Sequence, residues 1–587
     1  MFGKVLATSL LISSGLAYPT DSSNKPNSTL DWAPCDLDFP SVTKEVIAKH
    51  AEPLFCANLS VPLDYTEPEN GKTISLQLIK IKANKEPFKG SILTNPGGPG
   101  GSGVEWIASE GPQYRDDFGG YHDIIGFDTR YVSCTVVSRK KANERSGTGR
   151  TIPFVCTPSN VTAPKAKRGE YNFTIPQTDH YAELVEKFWN DGGIYAEDCA
   201  NTPGNADIGP YIGTAFVARD MISIIDALGE EKLQYWGISY GTMLGQTFAG
   251  MFPDRVGRVV FDSSFRFDDY HSGQWNAATR DTERAVVNFF RECVNVGPVL
   301  CPIANFTGPD TTVEDLHKEF AKVFQELLDD PVYLPDNYSP QPWYQPGGIT
   351  VYTVLKSLTL SMAYSPAQLG TLFTLVDIAL KRDWKQAFEI LELTLNTTSP
   401  GIPWNLGFNA FHGISCGDGA FRADKPEDMY SWTQAQAASG TFGDVFGSQI
   451  WPCAQWKFEA KERYNGPWTS INTSYPILFV NGNHDPITPL SSAYEASANF
   501  KGSRLLVQNG HGHGVMNHPS VCTKKAMADY FNEGTLPDVG TVCQTDNTAF
   551  EVFVEYIASL TGEANNTLTK RSFQIPRAPV FDSPMFI

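Results

Sequence analysis

The sequence lacks any uninterrupted apolar run of the roughly 20 residues that a membrane-spanning helix needs. It also lacks a surplus of positive charge, since 46 Lys and Arg stand against 65 Asp and Glu and give a formal net charge of −19. Such a charge argues against nucleic acid or an anionic membrane surface as a partner. These absences remove several partner classes and leave the chemistry open.

Two kinds of binding motif are missing as well. None of the 11 cysteines has the Cys-x-x-Cys spacing of a zinc site. The glycine-rich segment 95–103 lacks the lysine of a phosphate-binding loop and the acidic residue that follows a dinucleotide-binding loop. The sequence therefore predicts neither a metal nor a cofactor.

The N-terminus has the three-part pattern of a secretory signal peptide. Lys4 supplies the basic residue, residues 5–12 form a short apolar stretch, and the small residues Gly15 and Ala17 follow. The stretch is too short for a membrane anchor, and the tail after Arg571 is too polar for a lipid-anchor signal. We therefore expect a signal peptide over residues 1–17 and a secreted protein with no membrane anchor.

Sequons and cysteines agree with an extracellular location. Many Asn-x-Ser/Thr sequons after a signal peptide predict a glycosylated surface, and cysteines in an oxidising compartment form disulfides. Spacing does not determine connectivity, so the plausible local pairs are proposals: Cys35 with Cys56, Cys156 with Cys199, Cys293 with Cys301, Cys416 with Cys453, and Cys522 with Cys543, which leaves Cys134 free. The sequons begin at Asn27, Asn58, Asn160, Asn172, Asn305, Asn337, Asn396, Asn472 and Asn565.

Strand patterns alternate with helical ones towards both ends of the chain. Residues 91–95 and 123–127 are short apolar runs of the kind found in buried strands, and residues 215–228 have helical spacing. This alternation predicts an α/β domain with a mostly parallel sheet covered on both faces. Helical patterns dominate residues 265–411, so the domain is expected to be interrupted by a helical insertion. The expected boundaries are a first core segment 18–264, a cap 265–411, a second core segment 412–562 and a tail 563–587.

The segment Gly237-Ile-Ser-Tyr-Gly241 has the Gly-x-Ser-x-Gly pattern of a nucleophile elbow. It follows a strand pattern and precedes a helical one, and glycines tolerate the crowding of such a turn. The pentapeptide alone also fits an ordinary glycine turn. With its flanking elements it predicts that Ser239 is a catalytic nucleophile.

A serine nucleophile needs a base and an acid that orients the base, and in α/β hydrolases they follow in the order Ser, Asp, His. Asp485 comes directly after an apolar strand pattern, where such a carboxylate belongs. After the next strand pattern, His511, His513 and His518 share one loop, so these residues alone leave the base open.

An oxyanion hole needs two backbone N–H groups. One is expected from Tyr240, the residue after the nucleophile. The other is expected from the glycine-rich segment, where we favour Gly98 and keep Gly97 as the alternative.

With these residues the chain resembles the secreted tripeptidyl-aminopeptidase-like branch of the proline iminopeptidase family of α/β hydrolases. The resemblance extends over residues 31–560, nearly the whole mature chain. The motifs that carry it are Asn95-Pro-Gly-Gly-Pro-Gly100, Gly126-Phe-Asp-Thr-Arg130, Gly237-Ile-Ser-Tyr-Gly241, Cys416-Gly-Asp418, Asp485-Pro-Ile-Thr-Pro489, Gly510-His-Gly-His513 and Gly534-Thr-Leu-Pro537.

The resemblance implies the α/β-hydrolase fold with a helical cap over the active site. It places the catalytic histidine after Gly-x-Gly, which selects His513 and leaves His511 as the alternative. The chain departs from the family pattern after Arg130, where Tyr131-Val-Ser-Cys134-Thr replaces Gly-x-Gly-x-Ser.

The resemblance also implies a serine exopeptidase that releases tripeptides or single amino acids from free peptide N-termini. Such an enzyme needs a carboxylate for the substrate's ammonium group, and Asp418 is the candidate, although a helix cap or a solvated loop residue explains it equally well. A secreted carboxylesterase with the same triad is the alternative enzyme. A non-catalytic protein that only binds a partner is the alternative from another class.

Overall fold

The computed structural model of the protein describes residues 30–130, 154, 156, 181–334, 350–389, 408–445 and 447–561. Several predictions concern other residues and lie outside the described ones. They are the signal peptide 1–17, the tail 563–587, the free Cys134, and the sequons at Asn27, Asn160, Asn172, Asn337, Asn396 and Asn565.

The described residues form a ten-stranded sheet in the order β1-β2-β3-β5-β4-β6-β7-β8-β9-β10. The pairs β1/β2, β2/β3 and β3/β5 are antiparallel, and every later pair is parallel. The strands are β1 (Ala33–Pro34), β2 (Phe55–Pro62), β3 (Thr73–Ile81), β4 (Ser91–Asn95), β5 (Asp123–Phe127), β6 (Leu233–Ile238), β7 (Val256–Asp262), β8 (Leu478–His484), β9 (Arg504–His511) and β10 (Val542–Gln544).

The central strands are buried on both faces of the sheet. Successive side chains of a strand point to opposite faces, and Ile92 and Leu93 of β4 accordingly belong to two separate hydrophobic clusters. Ile124 and Ile125 of β5 divide between the clusters in the same way. Because both faces exclude water, these strands are short apolar runs without polar alternation, as predicted.

Helices cover the sheet, and their ends follow local sequence signals. Ser102 caps the helix after β4 by accepting a hydrogen bond from the Glu105 N–H, and Gly229 in the left-handed conformation ends the helix before β6. The helices outside the β7–β8 connection are α1 (Ser41–Ile47), α2 (Gly103–Asp117), α3 (Tyr181–Asn201), α4 (Asn205–Ile208), α5 (Thr214–Leu228), α6 (Tyr240–Met251), α15 (Leu490–Ala498), α16 (Val521–Glu533) and α17 (Ala549–Thr561).

The described part of the connection from β7 to β8 is helical, in agreement with the predicted insertion. Its helices are α7 (Phe267–Ser272), α8 (Thr282–Val296), α9 (Val313–Asp329), α10 (Val351–Ala363), α11 (Leu369–Lys381), α12 (Phe408–Asp418), α13 (Tyr430–Ala437) and α14 (Gly447–Ala454).

The predicted cap boundary between residues 411 and 412 is wrong. It falls inside α12, and the helical connection continues to Ala454 before the chain returns to the sheet at β8. The prediction failed because it took the end of the long helical pattern as the return to the core, whereas two further helices intervene.

The helices of the β7–β8 connection, α7 to α14, form a helical layer. A second segment of chain, helix α3 between β5 and β6, packs against this layer. A Cβ built on Gly192 of α3 would lie 3.2 Å from the backbone of Trp451 in α14, so the two helices touch along their backbones. The first core segment, predicted as 18–264 without any cap element, therefore contributes to the helical layer.

All five proposed cysteine pairs are disulfides in the structure. Cys416–Cys453 joins α12 to α14, within the helical layer. The three described sequon asparagines, Asn58, Asn305 and Asn472, are exposed, as attachment of a glycan requires. In the described part of the chain, no single helix meets the length and apolarity needed to cross a membrane, while the bent pair Asn205–Tyr211 and Thr214–Leu228 meets them by length and composition only.

Candidate active site

Ser239 occupies the sharp turn between β6 and α6. Its backbone has φ 58° and ψ −125°, a left-handed conformation that side-chain-bearing residues rarely adopt. The Ser239 N–H donates to the Asp262 carbonyl (3.1 Å), which ties the turn to the end of β7. The residue is 6% exposed. The structure therefore places the predicted nucleophile on a strained strand-to-helix turn at the carboxyl edge of the sheet.

Glycines let neighbouring backbones approach this turn. A Cβ on Gly241 would lie 2.6 Å from the Asn95 carbonyl oxygen, too close for any other residue. Gly97 has φ 95°, and a Cβ there would lie 2.8 Å from Ser239 Cβ and 3.0 Å from the Tyr240 nitrogen. The glycine-rich loop after β4 therefore lies directly against the nucleophile.

Asp485 and His513 lie together, although 28 residues separate them. His513 Nδ1 is 2.9 Å and 3.1 Å from the two carboxylate oxygens of Asp485. Asp485 also accepts hydrogen bonds from the Ile487 N–H and from the N–H and hydroxyl of Thr488. Burial alone would raise the pKa of Asp485, but His513 and these donors outweigh it and lower the pKa. The carboxylate is thus held ionised beside the imidazole.

The neighbouring histidines are arranged differently. His511 forms a row of rings with His484 and His518, at centroid distances of 5.3 Å and 5.6 Å. Burial and the nearby histidines lower the pKa of His511 to about 3, so it is neutral. The carboxylate of Asp485 pairs with His513 and not with His511, which favours His513 as the base.

The loop that carries His513 faces the nucleophile turn. A Cβ on Gly514 would be 3.6 Å from Cγ2 of Ile238, the residue before Ser239. His513 is 4% exposed, and its Nε2 atom is buried without a hydrogen-bond partner among the described residues. With Nδ1 held by Asp485, Nε2 is the nitrogen left to take a proton.

The helical insertion contacts this machinery at two points. The Tyr364 carbonyl, just after α10, accepts the His513 N–H (2.8 Å), and the Tyr364 ring meets the imidazole edge to face at 5.0 Å. On the other side, a Cβ on Gly100 of the glycine-rich loop would lie 2.6 Å from Ala410 Cβ in α12. The insertion therefore covers the site and also holds part of it.

The backbone N–H groups proposed for the oxyanion hole are those of Tyr240 and of either Gly98 or Gly97, and the two glycines differ in whether their N–H is already bonded. Tyr240 opens α6, and the first N–H groups of a helix have no partner within it. The Gly97 N–H donates to Asn95 Oδ1 (3.0 Å), whereas the Gly98 N–H makes no hydrogen bond to a described residue. The loop therefore leaves Gly98, and not Gly97, free to donate to a substrate oxygen.

Asp418 is not placed as a carboxylate that binds a substrate's ammonium group should be. It is buried at the end of α12 and accepts hydrogen bonds from the N–H and hydroxyl of Thr214 and from the Tyr270 hydroxyl. Thr214 in turn pairs with the Tyr240 hydroxyl at 2.6 Å. Burial raises the pKa of Asp418 to about 6. Asp418 therefore belongs to an internal network behind the nucleophile turn.

Sequence reasoning missed the groups at the end of β7. Asp262 accepts the Val515 N–H (3.0 Å), and the adjacent Ser263 accepts the Gly514 N–H (2.9 Å), so both hold the loop that carries His513. The available signal was a carboxylate directly after the apolar run Val259-Val-Phe261 of β7. Among the described residues, no group of three or more His, Cys, Asp and Glu could hold a metal ion.

Two family models match the chain. Residues 90–297 match the α/β-hydrolase fold, and residues 438–543 match the TAP-like protein family. The first match contains the glycine-rich loop and Ser239, and the second contains Asp485 and His513. All the predicted catalytic residues therefore lie in segments typical of these families.

Curated relatives match over most of their length. The chain is 26% identical to Serine protease Hip1 of Mycobacterium tuberculosis, over 88% of this chain and 91% of the relative. It is 25% identical to the Tripeptidyl aminopeptidase of Streptomyces coelicolor, over 86% and 84%. It is 26% identical to Carboxylesterase B of Mycobacterium tuberculosis, over 87% and 89%.

Proposed function

The chain is a serine hydrolase of the TAP-like α/β-hydrolase family, and on this basis we propose that it is an exported aminopeptidase that cleaves peptides from their free N-termini. The observation that carries the chemistry is the buried pair of Asp485 and His513, whose loop lies against the turn of Ser239. The preference for peptides is supported by the full-length similarity to relatives named as a serine protease and a tripeptidyl aminopeptidase.

The reaction is an acyl transfer through a covalent intermediate. His513 Nε2 takes the proton of the Ser239 hydroxyl as the oxygen attacks the scissile carbonyl, and Asp485 stabilises the imidazolium that forms. The N–H groups of Tyr240 and Gly98 bind the resulting oxyanion. The tetrahedral intermediate collapses and expels the amine, which takes the proton from His513. Water, deprotonated by His513, then cleaves the acyl-enzyme and restores Ser239.

Export is supported by the disulfides and by the surface. Five disulfides suit an oxidising compartment. The described sequon asparagines, Asn58, Asn305 and Asn472, are exposed. Together they favour a secreted glycoprotein, consistent with the leader pattern of the sequence.

The test uses the secreted protein and Ser239→Ala on one panel of substrates. Tripeptidyl anilides with a free N-terminus are compared with their N-acetylated forms, and with simple acyl esters. We expect turnover of the free peptides, a much lower rate on the acetylated ones, and a loss of about 10⁴-fold or more in Ser239→Ala, because the nucleophile is gone. Ser264→Ala is the matched control, since the Ser264 hydroxyl has no hydrogen-bond partner among the described residues.

The alternative is a carboxylesterase with the same triad, favoured by the similarity to Carboxylesterase B. Cleavage of acyl esters without turnover of any peptide would establish it and overturn the aminopeptidase. Equal rates on free and acetylated peptides would instead indicate a peptidase that does not require a free N-terminus.

A further inference from the structure

The end of β7 lies between the turn that carries Ser239 and the loop that carries His513. β7 pairs with β6 on one side and with β8 on the other. Its last residue, Asp262, is fully buried, and so are the next two, Ser263 and Ser264. Buried polar residues need internal partners, so the hydrogen bonds of this segment show what it holds.

One bond reaches the nucleophile. The carbonyl of Asp262 accepts the N–H of Ser239 at 3.1 Å. This fixes the backbone of the turn at the residue that carries the attacking hydroxyl.

Two further bonds reach the base. The Ser263 hydroxyl accepts the Gly514 N–H at 2.9 Å, and the Asp262 carboxylate accepts the Val515 N–H at 3.0 Å. These are the two amides that directly follow His513. The last residue of β7 and the residue after it thus hold two consecutive residues of the loop that carries His513.

The conformation of Ser263 supports a positional role. Its φ is 57°, in the left-handed region that non-glycine residues rarely adopt. In this conformation its N–H also donates to the Val480 carbonyl in β8, the strand that leads to Asp485. Surrounding hydrogen bonds must maintain such a backbone, and here they connect three catalytic loops.

We propose that Asp262 and Ser263 are positioning residues that set His513 in register with Ser239. The inference rests on the proposed function, in which Ser239 is the nucleophile and His513 the base. Asp262 and Ser263 are fully buried, and their hydrogen bonds go to the backbone of the segments that carry Ser239 and His513. They act on the rate by holding the base within reach of the nucleophile, and a misplacement of about 1 Å at such a pair can cost about 100-fold in rate.

The test compares Ser263→Ala with Ser264→Ala, two neighbouring buried serines. Only the first loses a hydroxyl that accepts a loop amide, because the Ser264 hydroxyl has no partner among the described residues. Active sites are titrated with a fluorophosphonate so that kcat refers to folded enzyme, and hydrolysis of a small acyl ester gives kcat and KM. We expect Ser263→Ala to lose about 10- to 100-fold in kcat with little change in KM, and Ser264→Ala to match wild type.

A second pair covers the case in which Ser263→Ala does not fold. Asp262→Ala removes the acceptor for the Val515 N–H, whereas Asp262→Asn retains an oxygen there, so Asn should rescue the kcat that Ala loses. Wild-type kcat in Ser263→Ala or Asp262→Ala overturns the proposal. Equal losses in Asp262→Asn and Asp262→Ala also overturn it, because the acceptor would then not matter. If wild-type Ser239 is not labelled at all, the proposed function fails first, and this inference fails with it.

Discussion

The ends of β7 and β8 each place a buried aspartate near His513, yet the pKa values of the two carboxylates shift in opposite directions. Asp485 accepts hydrogen bonds from two backbone N–H groups, one hydroxyl and the imidazole. Asp262 accepts the Val515 N–H and interacts with the hydroxyl of the adjacent Ser263, and its Oδ2 atom has no hydrogen-bond partner among the described residues. The difference lies in the number of donors, because both side chains are buried.

The pKa values follow from this count of donors. Burial raises the pKa of Asp262 to about 7, and the Val515 amide, the nearby His513 and the Ser263 hydroxyl offset this increase only in part. For Asp485 the same burial is outweighed by the donors and by the imidazole, so the pKa falls below its usual range. A buried carboxylate is therefore ionised where the loop supplies enough donors, and proximity to the histidine alone is not sufficient.

Replacing each aspartate with asparagine should separate the two carboxylates by their effect on kcat. Asp485→Asn should lower kcat by about 10³- to 10⁴-fold. The neutral amide does not stabilise the imidazolium, and it does not hold the neutral imidazole of His513 in the tautomer whose Nε2 accepts the proton. Asp262→Asn should stay within about threefold of wild type, because it retains an acceptor for the Val515 N–H. The measurement is kcat on an acyl ester per titrated active site. A larger loss in Asp262→Asn than in Asp485→Asn would reverse the assignment of the acid.

The sequence identifies the residues whose function depends on local structure. Ser239 lies in a five-residue turn, and Asp485 directly follows a strand, so pattern and order suffice to predict their positions. The sequence pattern does not distinguish among the three loop histidines. The structure favours His513, because it is His513 and not His511 that contacts Asp485.

Other parts of the site arise from tertiary contacts that have no sequence pattern. Ser263 binds an amide 251 residues away, and Tyr364 contributes a backbone carbonyl, which any residue carries. The burial of Asp418 depends on Thr214 and Tyr270, which come from separate helices. The cap boundary was wrong for the same reason. Helix α14 belongs to the helical layer because it packs against α3, and this tertiary contact has no sequence pattern.

The raised pKa of Asp262 should make the stability of the protein depend on pH. With a pKa of about 7 in the folded protein and about 3.9 in the unfolded chain, Asp262 binds more protons when folded between these values. Its contribution to the free energy of unfolding therefore falls as pH rises from about 4 to about 7. Asp262→Asn cannot titrate, so its stability relative to wild type should increase over that range by up to about 4 kcal/mol.

Denaturant unfolding at several pH values from 4 to 8 measures this difference. Asp485→Asn is the matched control, and its stability relative to wild type should stay nearly constant over this range. The lowered pKa of Asp485 means that its contribution is present above about pH 4 and is lost only as pH falls below that value. A stability difference between Asp262→Asn and wild type that does not change with pH would mean that Asp262 is ionised throughout.

Asp418 lies between Asp262 and Asp485 in its balance of burial and hydrogen bonds. It accepts three hydrogen bonds, yet burial still raises its pKa to about 6. Asp418→Asn should destabilise the protein by about 2 kcal/mol, since the amide nitrogen must face a donor in a buried site. Because Asp418 contacts Thr214 and Tyr270 and not the substrate, the ratio of kcat/KM on free and N-acetylated peptides should not change. A selective loss of activity on free peptides would instead show that Asp418 binds the ammonium group, as the resemblance to aminopeptidases first suggested.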